Sequence, residues 1–376
     1  MFSITGYSGK TDVHEAVMEA TASMTDEYQK LIIFFSDYTR FVDFSASLHE
    51  MFPDSLVVGA VSEMVASPGK LIYGGLVVSA FSDDIEVSYA ILNNASVAPV
   101  NDVAGIRDAL DKVGAENTAA FLLNCGNTYS DDKVSDCIYL SINKLQIPVF
   151  GGSAAARPDQ TIDDAFPRGE ISCNGRVYKD DSIIIFMHNN RGKIRIYSAN
   201  IYTPMGYSFQ VTDADVRKKT VYELNYQPAV KVLSKALGCR ENDLIETLRY
   251  HPLGRSFGNT NLIGEAARMT NDGGIEFRVR FYNQTKVDLM EPVHYEENFK
   301  NTLDRINREN KKGFFSIVCS CISQAAFLQR SSWFESLLDN FSESLEHYIC
   351  FFPYGEQFNY VYMNQTTVFA VFENNK

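Results

Sequence analysis

Three times along the chain, a short aliphatic-aromatic run leads into a helix-spaced apolar stripe and then into a second buried run. The first unit reads as strand 31–36, helix 39–52, strand 56–62, a Pro-Gly turn and strand 71–81. The second reads as strand 120–125, helix 130–146, strand 147–152, a long insert, then strands 176–178 and 182–187. The third reads as strand 314–322, helix 333–345, strand 348–352 and strand 360–372. Switching between a period near two and a period near 3.6 is the mark of an α/β chain. Each strand–helix–strand unit is expected to make a right-handed parallel crossover. Residue identity between the units is slight, so the echo is one of element type.

The stripes are specific enough to orient the helices. Phe41, Phe44 and Leu48 share one face, as do Val134, Cys137, Ile138, Ile142 and Leu145, and Phe334, Leu337, Phe341 and Leu345. Ser332 and Glu335 have the spacing of a capping box ahead of the last stripe. Between the second and third units the character changes. A helix over 228–237 stops at Gly238, and a hairpin turns at Asn271-Asp272-Gly273-Gly274. The 376 residues exceed what one core usually serves. The expectation is therefore an α/β (α+β) fold of two coupled subdomains, mixed sheets covered by helices. A boundary near Tyr226-Gln227-Pro228 gives domains 1–226 and 227–376.

Charge narrows the partners. The formal net charge is −13, and −11 of it falls in residues 1–226. An acidic surface argues against binding to nucleic acid or to an anionic membrane. The one basic run, Arg217-Lys218-Lys219, reads as a solvated turn or strand start. The apolar runs fall short of the roughly 18 residues a membrane span needs, so no membrane insertion is expected. The amino-terminal residues lack the pattern of a secretory signal. Seven cysteines, an odd number without a framework, read as reduced thiols in a cytoplasm.

Familiar catalytic signatures do not occur: no Gly-x-Gly-x-x-Gly after a strand, no P-loop, no Gly-x-Ser-x-Gly elbow, and no spaced zinc ligands. No catalytic or metal-ligating set is assigned. Cys319 and Cys321 lie two apart on an expected strand, which would turn both side chains to one face. They read first as small buried hydrophobes and second as a thiol site. His188 and His251 are the two histidines placed where an axial haem ligand could sit. The better signal is positional. The second strand of each unit ends in a small or polar tip, at Gly59 to Glu63, Gly151 to Ala154, and Pro353 to Glu356. Open α/β sheets bind ligands at the carboxyl ends of strands. Gly59, Ser62, Gly151, Gly152, Ser153, Arg157, Tyr354, Glu356 and Asn364 are the candidate lining of such a pocket, with Arg157 as a carboxylate clamp.

The same tips resemble the FIST sensory module, its N-terminal and C-terminal parts in order. The resemblance rests on 31–36 with Val58-Gly59-Ala60-Val61-Ser62, on Val149-Phe150-Gly151-Gly152-Ser153-Ala154, and on Asn174-Gly175-Arg176-Val177-Tyr178. It continues in His251-Pro252-Leu253-Gly254, 316–321, Phe352-Pro353-Tyr354-Gly355-Glu356 and Asn364-Gln365-Thr366-Thr367. The family's C-terminal strand typically runs into Cys-x-x-Arg, whereas Gln324 stands here three residues after Cys321. The resemblance implies a cytoplasmic sensory protein of the bacterial type, binding a small amino-acid-like molecule and signalling through a separate protein. Some relatives look like haem-based nitric oxide sensors that work with histidine kinases. An enzyme built on Cys319 or Cys321 is the third alternative.

Overall fold

Each sequence unit builds its own open sheet, and each sheet is completed by a hairpin from one other unit. The computed structural model describes residues 2–25, 27–156, 169–257, 260–311 and 313–375. The first unit runs β1 (Ser3–Ser8), α1 (Val13–Thr21), β2 (Leu31–Ser36), α2 (Phe41–Met51), β3 (Leu56–Val61), the hairpin β4 (Met64–Ser67) and β5 (Lys70–Tyr73), and β6 (Leu76–Phe81). The second repeats it as β7 (Ile85–Leu92), α3 (Val103–Val113), β8 (Thr118–Asn124), α4 (Asp131–Ile142), β9 (Val149–Ser153), hairpin β10 (Ile171–Cys173) and β11 (Arg176–Tyr178), and β12 (Ser182–Asn189). The third opens with β13 (Ile194–Ala199) and is then interrupted.

The interruption is a fourth sheet. It comprises β14 (Tyr202–Asp215), β15 (Thr220–Leu224), β16 (Gln227–Pro228), α5 (Ala229–Leu237), α6 (Leu244–Tyr250), β17 (Leu253–Phe257), β18 (Thr260–Gly264), β19 (Ala266–Met269), β20 (Ile275–Phe277) and β21 (Lys286–Pro292). The third unit then resumes with α7 (Tyr295–Glu309), β22 (Phe315–Ser320), α8 (Ile322–Arg330), α9 (Phe334–Ser344), β23 (His347–Phe351), hairpin β24 (Glu356–Phe358) and β25 (Val361–Met363), and β26 (Thr367–Phe372). The change of character near residues 226–228 falls inside this inserted sheet, at the turn from β15 to β16.

Pairing repeats as faithfully as element order. In every unit the central strand (β2, β8 or β22) lies parallel to the strand after its helix (β3, β9 or β23). It lies antiparallel to the unit's last strand (β6, β12 or β26). The hairpins are exchanged in a ring: β4 pairs with β23, β10 with β3, and β24 with β9. Two of the three sheets thus combine strands from both sides of residue 226. The inner faces meet over an apolar centre rich in phenyl rings. Phe35 stacks on Phe351 at 4.3 Å, Phe81 meets Phe315 edge-on at 5.1 Å, and Phe150 meets Phe372 at 6.3 Å. Each of these pairs joins two different sheets, at roughly 0.5–1.5 kcal/mol apiece beyond area burial. The expected helical stripes close the outer faces. Val134 and Ile138 lie on Leu122 and Ile184, and Leu337 and Phe341 share a cluster with Val318 and Phe369.

Several boundaries differ from the sequence expectation. The run 71–81 is broken at Gly74-Gly75, where Gly74 takes φ +61°, so β5 and β6 go to different sheets. The strand expected over 314–322 ends at Ser320, and Cys321 (φ −51°, ψ 131°) caps α8. Cys319 and Cys321 therefore do not share a strand face. Ser332 sits at φ +60° and Trp333 precedes the first turn of α9 without a side-chain cap, so the capping box does not form. Gly238, in contrast, ends α5 with the left-handed conformation its position called for.

Candidate functional site

The three polar tips do converge, because the ring of exchanged hairpins ties each to the next. Ser62 donates to the Met64 carbonyl and accepts the Phe352 N–H at 2.9 Å. Ser153 N–H reaches the Gly355 carbonyl, and Tyr354 N–H returns to the Ser153 carbonyl. Such cross-links leave Gly59, Ser62, Gly151 and Gly152 as packing positions. A Cβ on Gly59 would stand 2.3 Å from the Phe34 ring, and one on Gly152 would stand 2.7 Å from Pro353. Gly151 holds φ +143°, and a Cβ there would lie 1.9 Å from the Leu122 carbonyl. Arg157 lies outside the described residues.

A cleft partly open to solvent lies beside the second and third tips. One wall comes from the loop after β8 and the first turn of α4: Asn127, Tyr129 and Asp131. The inserted sheet supplies Lys219, Glu265 and Arg278. The amino end of α8 adds Ile322 and Ser323, and Tyr354 and Tyr362 complete the lining. Of the residues named from sequence, Tyr354 alone among those described lines the cleft. Ser153 and Asn364 stand directly behind it. Ser153 donates to the Asp131 carboxylate. Asn364 donates to the Tyr354 carbonyl at 3.3 Å and accepts the Glu265 N–H at 3.4 Å.

Asn127 (φ +58°), Tyr129 (φ +59°) and Lys219 (φ +53°) all hold left-handed conformations. For side chains as bulky as Tyr and Lys that conformation is unusual, and such outliers gather at ligand sites. Lys219 is only 5% exposed although Arg217 and Lys218 beside it are exposed, so the basic triplet is not a uniformly solvated turn. Its Nζ lies 2.8 Å from Asp132 Oδ2 and donates to the Arg278 carbonyl at 3.0 Å. Sequence reasoning missed Asp131, Lys219, Glu265, Arg278 and Tyr362. The acidic first turn after Ser130 was the available signal.

The electrostatics are mixed by design of the lining: two carboxyls face two cations. Burial raises the Asp131 carboxyl, against the opposing pull of Lys219 and the Ser153 hydroxyl. Glu265 is half-buried at the surface, yet enough protein surrounds its carboxyl for desolvation to raise it, against Ser323 and Arg278. Behind the cleft, Glu356 is fully buried and neither of its carboxyl oxygens makes a well-formed hydrogen bond among the described residues. Burial drives its pKa well above the ordinary carboxylate range, with the Cys321 thiol and the Thr366 backbone easing it only in part. Gln324, at the family's Arg position, is fully buried; it donates to the Gln365 carbonyl and accepts from Thr367. It holds the 365–367 segment and is not in the lining.

A FIST N domain matches residues 30–227 and a FIST C domain matches residues 229–359. The chain belongs to the FIST family. FIST domains are associated with sensory signal transduction and small-ligand binding. None of the curated proteins matches the chain. Within this FIST protein the cleft sits where the two matched parts meet, since its lining draws on both.

The remaining candidates lie elsewhere. His188 is at the far end of β12, its Nδ1 beside the Glu116 carbonyl at 2.7 Å and Thr118 Oγ1 at 3.2 Å. His251 follows α6, and its buried Nδ1 has no hydrogen-bond partner among the described residues. Neither histidine lines the cleft, so the residues present do not fit a haem at this site. Cys319 and Cys321 are fully buried and burial pushes both thiols well up. A nucleophilic cysteine needs the opposite shift. No helix among the described residues is long and apolar enough to cross a membrane.

Proposed function

We propose that this FIST protein is a sensor that takes a small zwitterionic molecule of amino-acid type into the cleft and reports its occupancy to a separate signalling protein. The observation that carries this reading is opposite charge arrayed across one cleft, Asp131 and Glu265 against Lys219 and Arg278. An ammonium group finds the carboxylates. A carboxylate finds the Arg278 fork and the positive end of α8. A simple anion or cation would leave one pair of lining charges without a new partner, whereas a zwitterion meets both. The tyrosine rings of Tyr354 and Tyr362 offer a flat surface to the ligand's side chain. Seven unpaired cysteines suit a reducing, cytoplasmic setting.

Native mass spectrometry of the freshly purified full chain tests for a co-purifying small molecule, and calorimetry then tests its chemistry. An amino acid that binds while its amide and its N-acetyl form do not supports the reading. Equal binding of all three contradicts it. The haem alternative has no support from the geometry; a Soret band in protein expressed with haem supplied would reinstate it.

A further inference from the structure

Tyr362 has a second side. Beyond it lies another cleft, partly open to solvent, between α4, the β17–β18 hairpin and residues 279–282. It carries two arginines whose situations differ. Arg280 is 15% exposed and committed: its Nη1 lies 2.7 Å from Asp136 Oδ2 and its Nε 3.8 Å from Asp132 Oδ2. Asp132 is itself already held by Lys219 at 2.8 Å. Arg255 is half-buried, and among the described residues its guanidinium meets no carboxylate and no hydrogen-bond acceptor.

The charges therefore do not cancel. Lys219 answers Asp132, Arg280 answers Asp136, and Arg255 remains unanswered in the wall of the cleft. A guanidinium presents a planar fork that matches an oxyanion bidentately. The lining is mixed: α4 contributes Asp132, Ser135 and Asp136, while Leu262, the cross-strand neighbour of Arg255, and Tyr360 give half-buried apolar and aromatic surface above the buried Val279 and Phe281. Phe257, two residues along the same strand face and 80% exposed, extends that apolar surface outward.

We infer that this cleft is a second ligand site, separate from the first, that takes a small organic carboxylate with an apolar body. The carboxylate pairs with Arg255 and the body lies on Leu262 and Tyr360, the half-buried apolar and aromatic members of the lining. A phosphate or sulfate ion alone leaves the apolar wall uncovered. A neutral apolar molecule leaves Arg255 unpaired.

The test uses the full chain with phenylacetate as probe and phenylacetamide as its uncharged counterpart, read by ligand-observed NMR and calorimetry. Phenylacetate is expected to bind and the amide not. Arg255→Gln is expected to weaken phenylacetate by ~10-fold or more, the usual worth of a charge-assisted hydrogen bond. Arg278→Gln, in the first cleft, is expected to leave phenylacetate unchanged. Circular dichroism of both variants checks the fold, and Arg255→Lys gives partial retention. Equal binding of acid and amide, no binding of phenylacetate, or an unchanged affinity in Arg255→Gln each overturns the inference. So does a loss in Arg278→Gln equal to that in Arg255→Gln, which would move the probe to the first cleft.

Discussion

At the scale of single residues, Lys219 and Glu356 decide most of the behaviour. Lys219 joins the loop bearing it to α4 through Asp132, and removing its charge leaves a carboxylate that is only 13% exposed. Lys219→Met should lower stability by about 3 kcal/mol, the low end of the range for breaking a buried pair from one side, as read by urea unfolding. It should also weaken amino-acid binding in the first cleft. Glu356 makes a prediction of different sign. Its folded pKa is raised above the usual 4.5, so folding takes up a proton. The stability it contributes is fully present below the unfolded pKa and is lost as pH rises towards the folded pKa. Glu356→Gln, which mimics the protonated acid, should match the wild type near pH 4. It should gain on the wild type by up to about 1.4 kcal/mol per pH unit above that. Parallel pH profiles for the two proteins would refute the assignment.

Elements explain why so much of the fold was legible and so little of the site. The stripes on α2, α4 and α9 and the buried runs of β2, β8 and β22 announce themselves because burial repeats with the period of the backbone. α7 is quieter: Phe299, Leu303 and Ile306 are its buried apolar residues in an otherwise charged fifteen-residue run. The exchange of hairpins leaves no local mark, since a strand's own residues do not say which sheet it joins. The cleft was illegible for the same reason. Asp131, Lys219, Glu265 and Arg278 are far apart in sequence and meet only because the inserted sheet folds back over the second and third tips. The tips themselves were found, but as fasteners rather than lining. Gly151 is one such fastener. Its φ of +143° and the 1.9 Å approach of the Leu122 carbonyl leave no room for a methyl group. Gly151→Ala should cost about 3 kcal/mol or more, visible as a lowered urea midpoint with an unchanged slope.

For the whole molecule, the ring of exchanged strands makes the two family parts one folding unit. A chain cut after residue 226 loses β22, β23 and β26 from one sheet and β24 and β25 from another. Fragments 1–226 and 227–376 should each lack fixed near-ultraviolet dichroism alone and recover it when refolded together. The intact chain should unfold in a single transition if the three sheets share one core, and two resolved transitions would oppose that. The same architecture carries the functional claim, because a ligand in the first cleft touches the second unit, the third unit and the inserted sheet at once. The most direct measurement is an amide-resolved NMR titration of the full chain with each of the standard amino acids. The account predicts that at least one of them shifts the amides of Asn127, Tyr129, Lys219, Ser323 and Tyr362 together, and that Arg278→Gln abolishes those shifts. No response at ~10 mM, a generous limit even for weak small ligands, or shifts confined to residues away from the cleft, would contradict it.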